Sequence, residues 1–331
     1  NERGSGGQKR SEGEVCGVRG PSHRTDPARI ADPANRSARG SKRFMSPAAM
    51  GMVKAEASAP GIANEDDAAV LARPEAVVEG AVHIADANPR RAFARIAARF
   101  FHRFPATCVA VTGTNGKTST VEMTRQLWRM AGFHAASIGT LGVTTGADRV
   151  VTGLTTPDIV TFLSNMAGLA AEGVTHAAFE ASSHGLDQYR TEGLPVKAAA
   201  FTNLSHDHLD YHGTMEAYLG AKLRLFTEVV EPGGAAVVWA DDAHSSKVVE
   251  SARARGLRLL TVGTKGEELR LVGRTPTQLG QTLTVAAGAL TQKIDLPLIG
   301  AYQVANALVA AGLGIPTGGG PAPADAQLPP P

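Results

Sequence analysis

Cys108-Val109-Ala110-Val111-Thr112-Gly113-Thr114-Asn115-Gly116-Lys117-Thr118 is the stretch on which the fold turns. An apolar run of strand character enters a loop with two glycines, and a helical pattern, Thr118 to Met130, follows at once. Strand, glycine loop and helix in that order make a phosphate cradle. Glycines let the backbone turn its N–H groups onto phosphate oxygens, and the helix N-terminus adds partial positive charge. Lys117 is placed to hold the β/γ-phosphates and the Thr118 hydroxyl to ligate Mg²⁺. The general pattern sets its first glycine five residues before the Gly-Lys pair, where Val111 stands here, so this loop is a shortened variant that opens on Gly113. A site for ATP is the expectation.

Outward from the loop the pattern repeats. Ala177 to Phe179, Ala198 to Phe201, Ala235 to Trp239 and Leu257 to Val262 read as strands, and Met215 to Val229 and Ser245 to Arg255 as helices. Such alternation predicts an α/β fold, a mostly parallel sheet with helices on both faces. Arg270 to Val272, Thr282 to Ala286 and Lys293 to Leu296 alternate in polarity and predict an antiparallel appendage before a last helix, Tyr302 to Leu313. On the other side, Ala76 to Ile84 reads as a strand-like run, and Ala92, Phe93, Ile96, Ala97 and Phe100 form the apolar face of a helix. Residues 61–104 thus resemble the tail of a domain, and 105–313 a central nucleotide-binding domain. Residues 1–60, rich in Gly, Ser, Arg and Pro, and the Pro/Gly tail 314–331 are expected to be disordered.

Bulk properties narrow the function classes. With 331 residues and 43% hydrophobic content the chain can bury a core of one large domain or two ordinary ones. Lys plus Arg number 33 against 31 acidic residues, a formal charge of +2, which gives no global pull toward nucleic acid or membrane. Cys16 and Cys108 form no C-x-x-C pair, so neither a disulfide framework nor a cysteine zinc site is indicated. No apolar run approaches the roughly 18 residues of a membrane span, and the basic start is followed by no signal-peptide stretch. A cytoplasmic protein is expected.

Two further strands end in polar clusters, Phe179-Glu180-Ala181-Ser182-Ser183-His184 and Phe201-Thr202-Asn203-Leu204-Ser205-His206-Asp207-His208-Leu209-Asp210-Tyr211-His212. In open parallel sheets ligands bind off the carboxyl ends of the strands, so these clusters should converge on the phosphate loop. Glu180 suits Mg²⁺ as a hard oxygen ligand, or else caps the following helix. His206 to Asp210 also resembles the H-x-H-x-D-H metal motif of the metallo-β-lactamase hydrolases, but Tyr211 stands where the last histidine is needed. Lys222 shares a helix face with Phe226, and from spacing alone it is a solvated lysine.

Together, Thr112 to Thr118, Thr155-Thr-Pro-Asp158, Ser182-Ser-His-Gly-Leu-Asp-Gln-Tyr-Arg190 and Phe201 to Thr214 resemble the Mur ligases, within them the MurE-type branch that makes the tripeptide. The resemblance covers about Ala76 to Leu313. It implies a reaction in which ATP phosphorylates a carboxylate of UDP-N-acetylmuramoyl-L-alanyl-D-glutamate, and the amine of an incoming amino acid displaces phosphate from the acyl phosphate. On that basis Gly113, Thr114, Asn115, Gly116, Lys117, Thr118 and Thr120 face the nucleotide and Asn306 its adenine. Thr118 and Glu180 take one Mg²⁺, and His208 a second metal ion. Lys222 matches a lysine that the family carbamylates into an anionic metal ligand. Thr155, Thr156, Ser182, Gln188 and Arg190 match positions that hold the UDP-muramoyl-peptide. Gln303 departs from the family's usual asparagine. The resemblance further implies that 61–104 is a remnant of an N-terminal UDP-binding domain and that a C-terminal domain binding the amino acid is missing.

The expectation is an ATP- and Mg²⁺-dependent acid–amino-acid ligase of peptidoglycan synthesis, monomeric, with meso-diaminopimelate as the added residue. Lysine is the alternative amino acid. Two rivals stand beside it: a non-catalytic fragment that binds ATP or UDP-peptide without turnover, and a folylpolyglutamate synthase-like ligase, which shares the phosphate loop.

Overall fold

The computed structural model describes residues 69–146, 149–150 and 155–318, together with the backbone of Val15–Val18 and Met52–Ala55. The chain divides into two compact units, Asn1–Ile96 and Ala97–Pro331.

In the first unit β1 (Val15–Val18), β2 (Met52–Ala55), β3 (Ala69–Ala72) and β4 (Val82–Ala85) form a sheet in the order β2-β1-β3-β4. β3 and β4 are parallel, and β1 pairs antiparallel with both β2 and β3. Val70 and Ala72 are its buried apolar centre, with Ala76, Val78 and Ala81 packed against them. Two sequence expectations change here. Residues 1–60, expected to be disordered, contain β1 and β2, each only 4 residues long and too short for a strand pattern to be read from sequence; the rest of 1–60 lies outside the described residues. The strand-like run Ala76 to Ile84 is a strand only from Val82, because Ala76 N–H closes a turn on Arg73 O.

The unit boundary falls inside α1 (Pro89–Phe101), where the expected apolar face also moves. Ala94, Ala97 and Ala98 are its buried positions, while Ile96 and Phe100 are exposed. Ala98 sits where a Cβ on Gly193 would come within 2.4 Å, so close backbone approach favours small residues over the large ones that a hydrophobicity pattern picks out.

The second unit carries a sheet of order β15-β14-β13-β12-β11-β10-β5-β9-β6-β7-β8 among the described residues. The strands are β5 (Thr107–Thr112), β6 (Ala135–Gly139), β7 (Gly142–Thr144), β8 (Arg149–Val150), β9 (His176–Glu180), β10 (Val196–Phe201), β11 (Val230–Trp239), β12 (Arg258–Gly263), β13 (Leu269–Pro276), β14 (Gln281–Ala287) and β15 (Leu290–Leu296). From β6 through β9, β5, β10, β11 and β12 to β13 every pairing is parallel. β13-β14-β15 is the antiparallel appendage expected, and β6-β7-β8 forms a second one at the opposite edge. Parallel strands covered on both faces read as continuous apolar runs, and Cys108 to Val111, Ala177 to Phe179 and Ala198 to Phe201 are all buried.

The helices are α2 (Lys117–Met130), α3 (Ile159–Ala171), α4 (Ser183–Asp187), α5 (Leu209–His212), α6 (Met215–Arg224), α7 (Ser245–Ala254) and α8 (Ala301–Thr317). Val121 and Trp128 of α2 and Val304, Leu308, Val309 and Leu313 of α8 pack with Val109, Val111, Ala178, Val237 and Val262 in one core. Side chains alternate along a strand, so Phe179 points to the other face. There its ring meets Phe162 of α3, centroids 5.0 Å apart. The helix expected over Met215 to Val229 changes to a π-helical turn at Leu225–Val229. α8 runs past Leu313 to Thr317, correcting the expected start of the disordered tail at 314. The cause is long-range: Thr317 Oγ1 donates to Leu313 O at 2.6 Å and accepts from Trp128 Nε1 at 2.9 Å.

Candidate functional site

The register brings the carboxyl ends of the central strands level: Val111 is opposite Glu180, Thr112 opposite Phe201, and Ile138 of β6 opposite Phe179. The loop after each strand therefore opens on the same rim, as the sequence predicts.

The phosphate loop is held from β10. Thr202 Oγ1 donates to Asn115 O at 2.6 Å, Asn203 O accepts from Thr114 N at 2.9 Å, Asn203 Oδ1 accepts from Asn115 N at 2.9 Å, and Thr114 Oγ1 accepts from Ser205 N at 3.0 Å. The loop glycines are fixed both by backbone and by space. Gly113 and Gly116 have φ of 148° and 85°, and a Cβ would come within 2.0 Å of Thr202 Oγ1 and 2.2 Å of Asn306 Oδ1 respectively. Asn306, buried on α8, thus abuts the loop and bonds Gln303 Oε1 through Nδ2 at 3.1 Å. Thr120 lies fully buried on α2, its hydroxyl without a hydrogen-bond partner.

Two lysines meet on one carbonyl. Lys117 Nζ donates to Gly113 O at 2.9 Å and Thr114 O at 2.7 Å, and Lys222 Nζ, from α6, also donates to Gly113 O at 2.9 Å. Lys222 is buried, 1% exposed, and lies over the Tyr218 ring 4.4 Å from its centroid. Burial, reinforced by the Lys117 charge and opposed by Asp207, pushes its ammonium down to about 6. Lys117 is lowered as well, by burial, against the pull of Glu180 and Asp207. Spacing made Lys222 a solvated lysine; the structure places it inside the site.

Glu180, also 1% exposed, faces the start of α2: its Oε1 accepts from Thr118 Oγ1 at 2.9 Å. Thr140 adds a backbone N–H to Oε1 at 2.7 Å and a hydroxyl 3.3 Å from Oε2. Burial raises the carboxyl, and the Thr140 N–H, the Thr118 hydroxyl, Lys117 and the Thr140 hydroxyl pull it back. A buried carboxylate and a hydroxyl in contact form a hard oxygen pair that suits Mg²⁺, so the donor set fits that ion.

The candidate peptide-binding residues lie beside this carboxylate. Thr140 Oγ1 is 2.9 Å from Thr155 Oγ1, and Thr156 Oγ1 donates to Glu180 O at 2.9 Å and accepts from Ser182 N at 3.1 Å. Ser182 caps α4 by accepting from Gly185 N at 3.0 Å. Arg190 binds Thr156 O through Nη1 at 2.7 Å and Gln188 Oε1 through Nη2 at 2.6 Å, and Gln188 Nε2 donates to Tyr211 OH at 3.1 Å.

His208 directly precedes α5. Its backbone is left-handed, φ 52°, and its Nε2 is 3.5 Å from Asp207 Oδ2. Its ring is 4.9 Å from that of His184 and 6.1 Å from that of Tyr218, the ring on which Lys222 rests. Among the described residues no group of three or more His, Cys, Asp or Glu side chains is arranged to hold a metal. Thr140, Tyr218, Thr202 and Asn203 were not singled out from sequence. The last two sit in a quoted motif, and their place after a central strand could have marked them; Thr140 follows β6, a strand too alanine-rich to be seen.

Comparison with known proteins adds independent findings. The family described as Mur ligase middle domain matches residues 111–314. A UDP-N-acetylmuramoyl-L-alanyl-D-glutamate--2,6-diaminopimelate ligase of Zymomonas mobilis is 57% identical over 251 residues, covering 76% of this chain and 52% of that protein. The protein of the same name from Bradyrhizobium diazoefficiens is 54% identical over 239 residues, covering 71% and 49%. A solved structure of a ligase of that name superposes with a TM-score of 0.65 at 30% identity, over 71% of this chain and 49% of the other. The chain spans about half the length of the curated relatives it matches.

Proposed function

The chain belongs to the Mur ligase family, and from that premise we propose that it carries the ATP-binding, acyl-activating core of a ligase joining 2,6-diaminopimelate to UDP-N-acetylmuramoyl-L-alanyl-D-glutamate. The observation that carries the proposal is the meeting of Lys117 and Lys222 on Gly113 O beside the Glu180–Thr118 pair. Phosphoryl transfer to a carboxylate brings negative charge together from both reactants, and cations have to neutralise it.

In this reading Lys117 leaves the loop carbonyls for the β/γ-phosphates, and the backbone N–H groups of 113–118 cradle the phosphates. Asn306 faces the adenine. Thr118 and Glu180 hold Mg²⁺, which when bound neutralises phosphate charge, and His208 serves a second metal ion. Lys222 becomes the carbamate; only an unprotonated amine adds CO₂, and a lysine pushed down to about 6 is unprotonated at neutral pH. Thr155, Thr156, Ser182, Gln188 and Arg190 hold the UDP-peptide. The amine of the amino acid then displaces phosphate from the acyl phosphate. Residues 105–313 are the central domain of such a ligase and 61–104 part of its UDP-binding domain. In the same reading the protein works as a monomer in the cytoplasm.

The chain spans about half the length of its relatives, and a second reading is that these residues by themselves bind ATP and UDP-peptide without turnover. Phosphate release with ATP, Mg²⁺ and the UDP-dipeptide, with diaminopimelate, with lysine or with neither, separates the two. Release that requires both the dipeptide and diaminopimelate supports the ligase; binding without release supports the second reading. Release driven by a folate and glutamate instead would contradict both.

A further inference from the structure

Thr140 bridges two groups that the proposed function keeps separate. β6 ends at Gly139, where a Cβ would come within 2.0 Å of Glu180 Oε1, so the carboxylate lies directly against the end of that strand. The next residue gives Glu180 both of its polar groups: backbone N–H to Oε1 at 2.7 Å, hydroxyl toward Oε2 at 3.3 Å. The same hydroxyl is 2.9 Å from Thr155 Oγ1. A carboxylate can only accept, so the Thr140 proton points to Glu180 and the proton between the two hydroxyls comes from Thr155. Donation therefore runs one way, from Thr155 to Thr140 to Glu180.

Resting on the reading of Glu180 as an Mg²⁺ ligand, we propose that Thr140 is a positioning residue: it sets the rotation of the Glu180 carboxylate for the metal and ties it to the Thr155 side of the peptide pocket. With Thr118 holding Oε1 from α2, Thr140 supplies donors from just past the end of the neighbouring strand β6, so the carboxylate plane is fixed before any metal arrives. Groups that hold a metal ligand in orientation tune the affinity of the site. Thr155, its proton committed to Thr140, offers lone pairs outward, and the substrate group that meets it is an N–H or O–H donor, such as a peptide amide or a sugar hydroxyl.

The test is the Mg²⁺ dependence of ATP binding to the whole chain, followed by calorimetry across an Mg²⁺ series in the wild type, Thr140→Val, Thr140→Ser and Glu180→Gln. Thr140→Val keeps the backbone N–H and the side-chain volume; it is expected to raise the Mg²⁺ midpoint about tenfold, at unchanged thermal midpoint. Thr140→Ser is expected to restore the wild-type midpoint, which a role in packing alone would not predict. Thr140 is solvent-exposed, so the fold tolerates the change; Thr140→Ala, as a second variant, should show the same shift as valine. A valine midpoint equal to wild type, with Glu180→Gln raised, overturns the role of Thr140 and leaves the metal reading intact. A Glu180→Gln midpoint equal to wild type overturns the metal reading, and the role of Thr140 with it.

Discussion

Lys222 shows at the scale of one residue what burial does to a charge. Its ammonium, fully enclosed between the Tyr218 ring and Gly113 O, is pushed down to about 6 from an ordinary 10.5. Between those two values the unfolded chain holds a proton that the folded chain does not, so stability rises with pH across that window. Below about 6 both states are protonated, the slope vanishes and the full cost of the buried charge remains. Lys222→Met removes the titration. In metal-free, CO₂-depleted buffer the stability of the wild type relative to Lys222→Met should therefore climb by about 1 kcal/mol per pH unit between pH 7 and 9. Denaturant unfolding of both proteins at several pH values measures it, and parallel pH profiles would remove the argument for a neutral amine.

At the scale of elements, α2 and α8 carry a contact that no local pattern contains. Trp128 Nε1 donates to the buried Thr317 hydroxyl, which in turn donates to Leu313 O, and this pins the last turn of α8 to α2. Thr317→Val should destabilise the protein by about 1 kcal/mol, since it strands a buried indole N–H. Equilibrium unfolding would show it, and an unchanged midpoint would mean that α8 ends elsewhere. Elements with continuous apolar runs or strict alternation were legible in sequence: β5, β9, β10, β11, β12 and the appendage β13-β15. β6, with its Ala-Ala-Ser start, and α3, apolar on nearly every side, were not, because each is specified by its neighbours: β6 by pairing with β9, α3 by packing Phe162 on Phe179. The site follows the same division. The glycine loop and Glu180 could be read from local order, whereas the burial of Lys222 is a property of the fold, and its importance came from resemblance alone.

For the whole molecule, the parallel sheet matters because it brings loops far apart in sequence to one rim: the phosphate loop after β5, Thr140 after β6, Glu180 at the end of β9, and Thr202 and Asn203 after β10. Membership in the Mur ligase family and the α/β fold agree with that arrangement. The claim on which the functional reading depends is that this rim is an ATP site built around Lys117. Calorimetric titration of ATP with Mg²⁺ into the chain and into Lys117→Ala tests it directly. Saturable one-site binding that weakens by about ten- to a hundredfold in the variant, the loss of one charged hydrogen-bonding partner, is the predicted result. Equal binding by both proteins, or none by the wild type, would contradict it.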